Sequence, residues 1–229
     1  MDRPDLLKGE DLLPEPVQLR SRQKRTRIKS AGLALFGEKG YERASIDEIA
    51  DKAKLAVGGF YQHFRSKRQL LLVLMDELLE SLSRLDLRPK GTSNIREGLR
   101  GFLTHALSAD LKYLGAYRAW REAAITDPAL AQKEAEIRVW TTGRVFTAFT
   151  LLHQLTGARR KVDLRALAQV MDGFFWNLLG QAVTLSKVDL EAWIDSATHL
   201  IFHALFEDQK KTVGRRNGQK LRYQARKST

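Results

Sequence analysis

The sequence predicts an all-α protein, in which a three-helix N-terminal unit containing a helix-turn-helix precedes a larger C-terminal helical bundle. Apolar residues recur at helical spacing along most of the chain, and no segment alternates apolar and polar residues as a strand would. With 229 residues, 43% of them hydrophobic, the chain is long enough for two units. We assign residues 1–19 to a flexible arm, 20–66 to the helix-turn-helix domain, 67–207 to the bundle and 208–229 to a basic tail.

Charge and composition narrow the class of protein. The chain has 39 Lys and Arg against 27 Asp and Glu, a formal net charge of +12, and the excess lies in Arg20–Lys29 and after Asp208, two segments without acids. Such basic ends favour a polyanion such as nucleic acid as partner. The absence of cysteine excludes disulfides, thiol catalysis and thiolate metal sites. No apolar run approaches the roughly 18–20 residues of a membrane span, and no signal-peptide pattern is present, so we expect a cytoplasmic protein without a membrane partner.

The first three helices are indicated by local signals. A helix from about Ser21 carries apolar residues at helical spacing and ends at Gly40, a residue suited to positive φ. Ser45 and Glu48 in "SIDEIADKA" have the spacing of a capping box at the start of a second helix. The third helix, "VGGFYQHF", follows after a tight turn, as in a helix-turn-helix.

Six further helices are predicted for the bundle. The first begins at Ser66, and two more cover about 94–108 and 110–125. Asp127, Asp163 and Asp189 are expected to cap the last three, which extend to about residues 155, 186 and 207.

Adjacent glycines in the third helix call for a physical reason, because glycine destabilises a helix by about 0.5–1 kcal/mol relative to alanine. Gly58 and Gly59 would allow a close approach to a phosphate backbone, with Tyr61 and His63 contacting it and Phe60 packed inward. The alternative interpretation is a packing notch between helices.

The segments "ALFGEKGYERASIDEIADKA" and "GGFYQHFRSKRQLL" resemble the N-terminal domain of the TetR family of transcriptional repressors. The resemblance implies DNA contacts from Ser45, Gly59, Tyr61, His63 and Lys67. The full set that we expect to bind DNA is Ser45, Val57, Gly58, Gly59, Tyr61, Gln62, His63, Lys67, Arg22 and Arg25.

The turn before the third helix departs from the family pattern. Lys54 replaces the usual glycine, so its backbone is expected to be left-handed, and Ala56 replaces the usual serine cap.

The family resemblance also implies a C-terminal domain for ligand binding and dimerisation, although no specific motif marks it. Its candidate effector-pocket residues are large or basic: Tyr113, Tyr117, Trp120, Arg121, Trp140, Phe146 and Phe175. The helix from Asp163 is apolar around most of its circumference, which predicts a homodimer interface on it and the last helix, formed by Phe175, Leu179, Gly180, Val183, Trp193, Ala197 and Ile201. Ordinary core packing is the alternative for both sets.

These features predict a ligand-responsive repressor that binds a palindromic operator as a homodimer and is released by a small apolar effector. One alternative is a ligand-blind nucleoid or cell-division DNA-binding protein on the same scaffold. Another is a helical enzyme with an accessory DNA module, but no catalytic constellation, cofactor motif or metal site is indicated. His199 and His203 are spaced for a metal, yet are better explained as the polar edge of a packed helix.

Overall fold

The computed structural model describes residues 2–88, 94–182 and 186–207, without the side chains of residues 108–110 and 187. The predicted all-α fold is confirmed, because the described residues form helices and contain no strand beyond one isolated bridge. The helices are α1 Leu19–Lys39, α2 Ile46–Lys52, α3 Val57–Tyr61, α4 Lys67–Ser83, α5 Ile95–Leu111, α6 Leu114–Thr126, α7 Pro128–His153, α8 Leu164–Ala182 and α9 Lys187–Leu205.

The local signals of the helix-turn-helix are present in the structure. Ser45 and Glu48 form the reciprocal capping box of α2. Lys54 has φ of 56°. This is the left-handed conformation expected at the position where the family pattern has glycine. Ala56 precedes α3 and offers no side-chain cap. The third helix is shorter than "VGGFYQHF" suggested, since it ends at Tyr61 and the chain then turns towards α4.

The bundle differs from the sequence prediction at two helix starts. Ser186 is the N-cap of α9 and forms a capping box with Asp189, so the prediction of Asp189 as the cap was wrong. The helix predicted from residue 110 begins at Leu114, since α5 continues to Leu111. Asp127 does cap α7, where its carboxylate accepts hydrogen bonds from two backbone amides.

Helix α6 fixes the helix-turn-helix to the bundle through α1. The two helices cross so closely that a Cβ on Gly115 would lie 1.9 Å from the carbonyl oxygen of Leu33. The carboxylate of Glu122 accepts hydrogen bonds from the backbone amides of Tyr41, at 2.6 Å, and Glu42, at 3.2 Å. These contacts join α6 to the turn between α1 and α2.

The segment before α1 packs on the body, contrary to the expectation of a flexible arm. Leu6 is fully buried, and its carbonyl accepts a hydrogen bond from Lys133 of α7. Arg3 pairs with Asp76 of α4 at 2.6 Å, and Glu10 pairs with Arg68 at the same distance. These contacts could not be predicted from the composition of the segment, because each one depends on a residue that is distant in sequence. The predicted basic tail, 208–229, lies outside the described residues.

Candidate nucleic-acid interface and ligand cavity

Helix α3 exposes one face and anchors the other. Tyr61 is 50% exposed and Val57 is 38% exposed, while Gly58 and Gln62 also face solvent. Phe60 is fully buried on the opposite side, with its ring 5.8 Å from that of buried Phe64. The buried inner side of α3 thus holds its outer side in place, and this short outward surface carries no acidic side chain.

The two glycines of α3 have different surroundings. A Cβ built on Gly58 would meet nothing within 4 Å, whereas one on Gly59 would lie 3.3 Å from the Cβ of Leu55. A packing notch therefore accounts for Gly59 alone. At Gly58 the missing side chain leaves space on the outside of the protein, where a second molecule can approach the backbone.

Two predicted DNA contacts, Arg25 and His63, are turned inward. His63 is only 4% exposed, and burial, together with the charges of Arg25 and Lys24, lowers its pKa. The buried Arg25 guanidinium donates to the His63 carbonyl at 2.7 Å and lies 4.4 Å from the centroid of the Phe64 ring. Arg25 faces inward because the basic run is helical and one of its faces must cover the core. His63 faces inward because the chain turns towards the core after α3 ends at Tyr61. Both predictions were therefore wrong.

The remaining predicted contacts lie at or beside the outer surface. Ser45 is exposed and its hydroxyl accepts from the Glu48 amide at 3.2 Å. Lys67 is partly buried, and its ammonium donates to the Tyr41 carbonyl at 2.6 Å while lying over the Tyr41 ring. Its evident role is to hold the α1–α2 turn against the start of α4. Arg22 is exposed and donates to the carbonyl of Pro16 at 2.9 Å.

A basic edge on α1 continues the outward surface. Arg20, Lys24 and Arg27 are exposed and recur every three or four residues, so they share one side of the helix. Lys29 instead pairs with Glu77 of α4 at 2.6 Å. The sequence cluster Arg20–Lys29 is therefore divided by helical geometry into outward and inward cations.

A largely apolar cavity lies among α4, α5, α7 and α8. Its volume is about 150 Å³, and it opens to solvent. Of the predicted effector residues, Tyr117, Trp140 and Phe175 line it. Trp120 is buried elsewhere in the core, Arg121 is exposed, Tyr113 borders a separate polar groove, and Phe146 lies beneath Arg165.

Sequence analysis missed the most polar wall of this cavity. Asp172 lines it with only 6% of its surface exposed, and its carboxylate accepts a hydrogen bond from the Thr142 hydroxyl at 2.9 Å. Burial raises the pKa of Asp172. A lone acid in the apolar run "QVMDGFF" was the available signal. The aliphatic wall from α4 and α5 was missed because it requires the tertiary fold.

The predicted dimer residues are mostly internal to the protomer. Leu179, Ala197 and Ile201 are buried, and Leu179 and Ile201 border the cavity, so assigning them to an interface was wrong. These apolar residues of the two helices pack inside the protomer instead. Val183 lies outside the described residues. The other candidates are partly buried: Phe175 lines the cavity, Gly180 faces Arg121, and Trp193 packs on Phe174.

The outward faces of α8 and α9 carry small and apolar residues. Val170 and Gly173 on α8 are exposed, as are Val188 and Leu200 on α9.

In the described parts of the chain, no helix is long and apolar enough to cross a bilayer, and no three His, Cys, Asp or Glu residues gather as a metal site.

Comparisons with known proteins agree with this arrangement. Residues 28–74 match the sequence model of the bacterial regulatory proteins of the tetR family. The repressor KstR of Rhodococcus jostii is 38% identical over 82 residues, which cover 36% of each chain. The activator FasR of Mycolicibacterium smegmatis is 27% identical over 141 residues, 59% of this chain and 61% of the relative. The matches thus span less than two thirds of these relatives' length.

The fold extends over most of the chain. A complex of SmeT, a repressor from Stenotrophomonas maltophilia, with triclosan superposes with a TM-score of 0.61 at 20% identity, covering 81% of this chain and 93% of SmeT. At that identity the likeness concerns the fold. Together with the match over residues 28–74, it shows that those residues form a helix-turn-helix domain of the tetR family, within a chain that has the fold of SmeT.

Proposed function

We propose that this protein is a repressor that binds a palindromic DNA operator as a homodimer and is released by a small, largely apolar ligand. The observation that carries the proposal is the outward surface of α3, where open space at Gly58 adjoins exposed Val57, Tyr61 and Gln62. An HTH places this part of its recognition helix in the major groove. The functional division follows the predicted ranges, with 20–66 for DNA and 67–207 for ligand and partner.

Contacts to phosphates come from exposed cations beside this surface. Arg20, Lys24 and Arg27 form the basic edge of α1. Such contacts supply affinity without sequence information. Specificity then depends on Val57 against a thymine methyl, on Tyr61 and Gln62, and on the shape of the DNA.

The homodimer is proposed to form through the outward faces of α8 and α9. Exposed Val170 and Leu200 supply apolar area, and Gly173 permits close approach because a Cβ there would meet nothing within 4 Å. Two helices from each subunit would make a four-helix interface with two-fold symmetry. A two-fold dimer matches a palindromic site, with one α3 in each half.

Ligand release is proposed to act through α4 and α6. Met75 and Leu78 of α4 border the cavity, and the same helix begins directly after the helix-turn-helix. Tyr117 of α6 also lines the cavity, five residues before Glu122, which holds the α1–α2 turn. A ligand that displaces these helices favours a spacing of the two α3 helices that does not fit DNA. SmeT supports this reading by analogy, since its complex with triclosan has the same fold.

Selection from a pool of random double-stranded DNA tests the proposal. The full chain should enrich an inverted repeat whose half-sites are centred about 10 base pairs, or a multiple of that, apart. Ligands found for the cavity should then lower the affinity for the enriched DNA. Failure to enrich any sequence would contradict the proposal, and enrichment without an effect of any cavity ligand would favour a ligand-blind DNA-binding protein.

A further inference from the structure

The cavity has two charged residues in a wall that is otherwise almost entirely apolar. Among the described residues that line it, Asp172 and Arg144 are those with a charged group. In an apolar cavity, the few polar groups fix the class and orientation of the ligand. Each charge therefore needs an explanation, either from the fold or from a ligand.

The fold explains the charge of Arg144. Its guanidinium donates hydrogen bonds to the carbonyl oxygens of Leu82, at 2.7 Å, and Leu85, at 3.3 Å, which lie at and beyond the end of α4. A cation at the C-terminal end of a helix satisfies carbonyls that lack helical partners and interacts favourably with the helix dipole. The guanidinium also lies 5.1 Å from the centroid of the Trp140 ring.

The fold does not explain the charge of Asp172 in the same way. Its hydrogen-bond donors are all neutral: the Thr142 hydroxyl at 2.9 Å, with further bonds from the side chains of Thr141 and Trp176. The cation acting on it electrostatically is Arg138, which is exposed and hydrogen-bonded to Glu134 at 3.2 Å. The Arg138 guanidinium also lies over the Trp176 ring, 4.4 Å from its centroid. A buried carboxylate with no ion pair costs free energy. A ligand cation in the cavity would recover that cost.

We propose that the cavity binds a lipophilic amine, whose apolar body lies along the α4 and α5 wall and whose protonated nitrogen meets the Asp172 carboxylate. This inference rests on the proposed ligand-binding function and names the class of its ligand. Tyr117 and Trp176 also line the cavity, with ring centroids 4.8 Å apart, and aromatic faces attract a cation as well. Recognition is thus by one carboxylate and an aromatic pair in an apolar enclosure.

The net charge of the protein allows specific binding of an amine to be distinguished from nonspecific electrostatic attraction. At +12, the chain as a whole repels cations and attracts anions. A preference for an amine over an otherwise identical carboxylic acid would therefore oppose the overall field. It would have to come from a local group.

The test uses three probes with the same ten-carbon chain: decylamine, decanol and decanoate. Binding to the full chain without DNA is followed by tryptophan fluorescence, since Trp140 and Trp176 line the cavity. At pH 7.5, decylamine should bind about 10-fold more tightly than decanol, the difference expected of one charge-assisted contact, and decanoate should bind most weakly. Asp172→Asn should bring decylamine and decanol to within about 2-fold of each other.

Two variants serve as controls. Asp51→Asn removes an exposed aspartate of α2 and should keep the amine preference. Thr142→Val removes the hydroxyl that donates to Asp172 but leaves the carboxylate, so it should keep the preference too. If Asp172→Asn does not fold, the order of the three probes on the unaltered chain still decides the matter.

Several results would overturn the inference. Equal binding of decylamine and decanol would mean that Asp172 does not select the ligand. Tightest binding of decanoate, lost in Arg144→Gln, would assign the head-group site to Arg144 instead. No binding of any probe would remove the cavity as a site for this class of molecule. Each outcome is distinguishable from failure of the proposed function, because the latter is decided by DNA selection and by the effect of a bound ligand on DNA affinity.

Discussion

The surface of α3 and the cavity behind α4 place their polar groups in opposite ways. On α3, Tyr61 and Gln62 face solvent while Phe60 is buried beneath them. In the cavity, apolar side chains form most of the wall and the buried Asp172 lies among them. The first arrangement suits a large, hydrated polyanion. The second suits a small molecule that is transferred from water into an apolar cavity. Substitutions of matched groups in the two regions should therefore have different effects on stability and on DNA binding.

The largest expected effect is a difference in the free energy of unfolding between variants of the two adjacent aromatic residues of α3. Phe60→Ala should lower the free energy of unfolding by about 3–5 kcal/mol, because Phe60 is fully buried and its removal leaves a cavity. Tyr61→Ala should change it by less than about 0.5 kcal/mol, since half of the side chain is already exposed. Urea denaturation followed by circular dichroism measures both values. Similar losses for the two variants would mean that Tyr61 is a structural residue rather than a contact surface.

The turn before α3 should respond next. Lys54 has positive φ, which costs a residue with a Cβ about 1 kcal/mol relative to glycine. Lys54→Gly should therefore raise the free energy of unfolding by up to about 1 kcal/mol, whereas Lys54→Ala, which keeps the Cβ, should bring no such gain. The same denaturation experiment distinguishes them. An equal response to both would show that the left-handed turn is not strained.

On the cavity side, Asp172 should make stability rise as the pH falls. Burial raises its pKa, so between that raised value and the ordinary value near 3.8 the folded state binds more protons than the unfolded state. The cost of burying the charge is fully present above this window and disappears below it. Thermal unfolding should show that Asp172→Asn is at least as stable as the unaltered chain at pH 7, and that its advantage shrinks on acidification. An advantage that is constant with pH would contradict this assignment.

The opposite pH dependence, and the smallest effect, is expected in the helix-turn-helix. A hydrogen bond from Lys39, followed by the Ser45 backbone amide, lowers the pKa of Glu48 to about 2 from its ordinary 4.5. Its contribution to stability is therefore present above pH 4.5 and lost as the pH falls towards 2. The unfolding midpoints of Glu48→Gln and the unaltered chain should differ slightly at pH 6 and converge near pH 2. Convergence at pH 6 would show that the carboxylate contributes nothing.

The helix-turn-helix could be predicted closely from the sequence because its features are local. The Ser45 capping box, the left-handed Lys54 and the inward Phe60 and Phe64 each depend on a few neighbouring residues. His63 was misassigned because the sequence does not show that the chain turns inward after Tyr61. Local chemistry thus determines the elements of this region, but not the direction of every side chain.

The cavity and the N-terminal segment could be predicted only in part, because tertiary contacts determine them. Periodicity marked α8 as apolar around most of its circumference and α9 as carrying an apolar stripe, yet could not say that Leu179 and Ile201 face their own cavity. Leu6 lies in a Pro- and acid-containing segment with no helical pattern, and its burial depends on elements such as α7, more than a hundred residues away. Such positions require the assembled bundle.

Two exposed helical glycines allow the DNA-binding surface to be tested directly. A Cβ meets nothing within 4 Å at Gly58 of α3 or at Gly101 of α5, so glutamate fits at either position and adds the same charge. With DNA selected by the unaltered chain and titrated at fixed salt, Gly58→Glu should weaken binding by about 100-fold, because it places an anion where phosphates and base edges approach. Gly101→Glu should bind within about 2-fold of the unaltered chain. Equal affinities for the two variants would contradict the assignment of α3 as the DNA-binding surface.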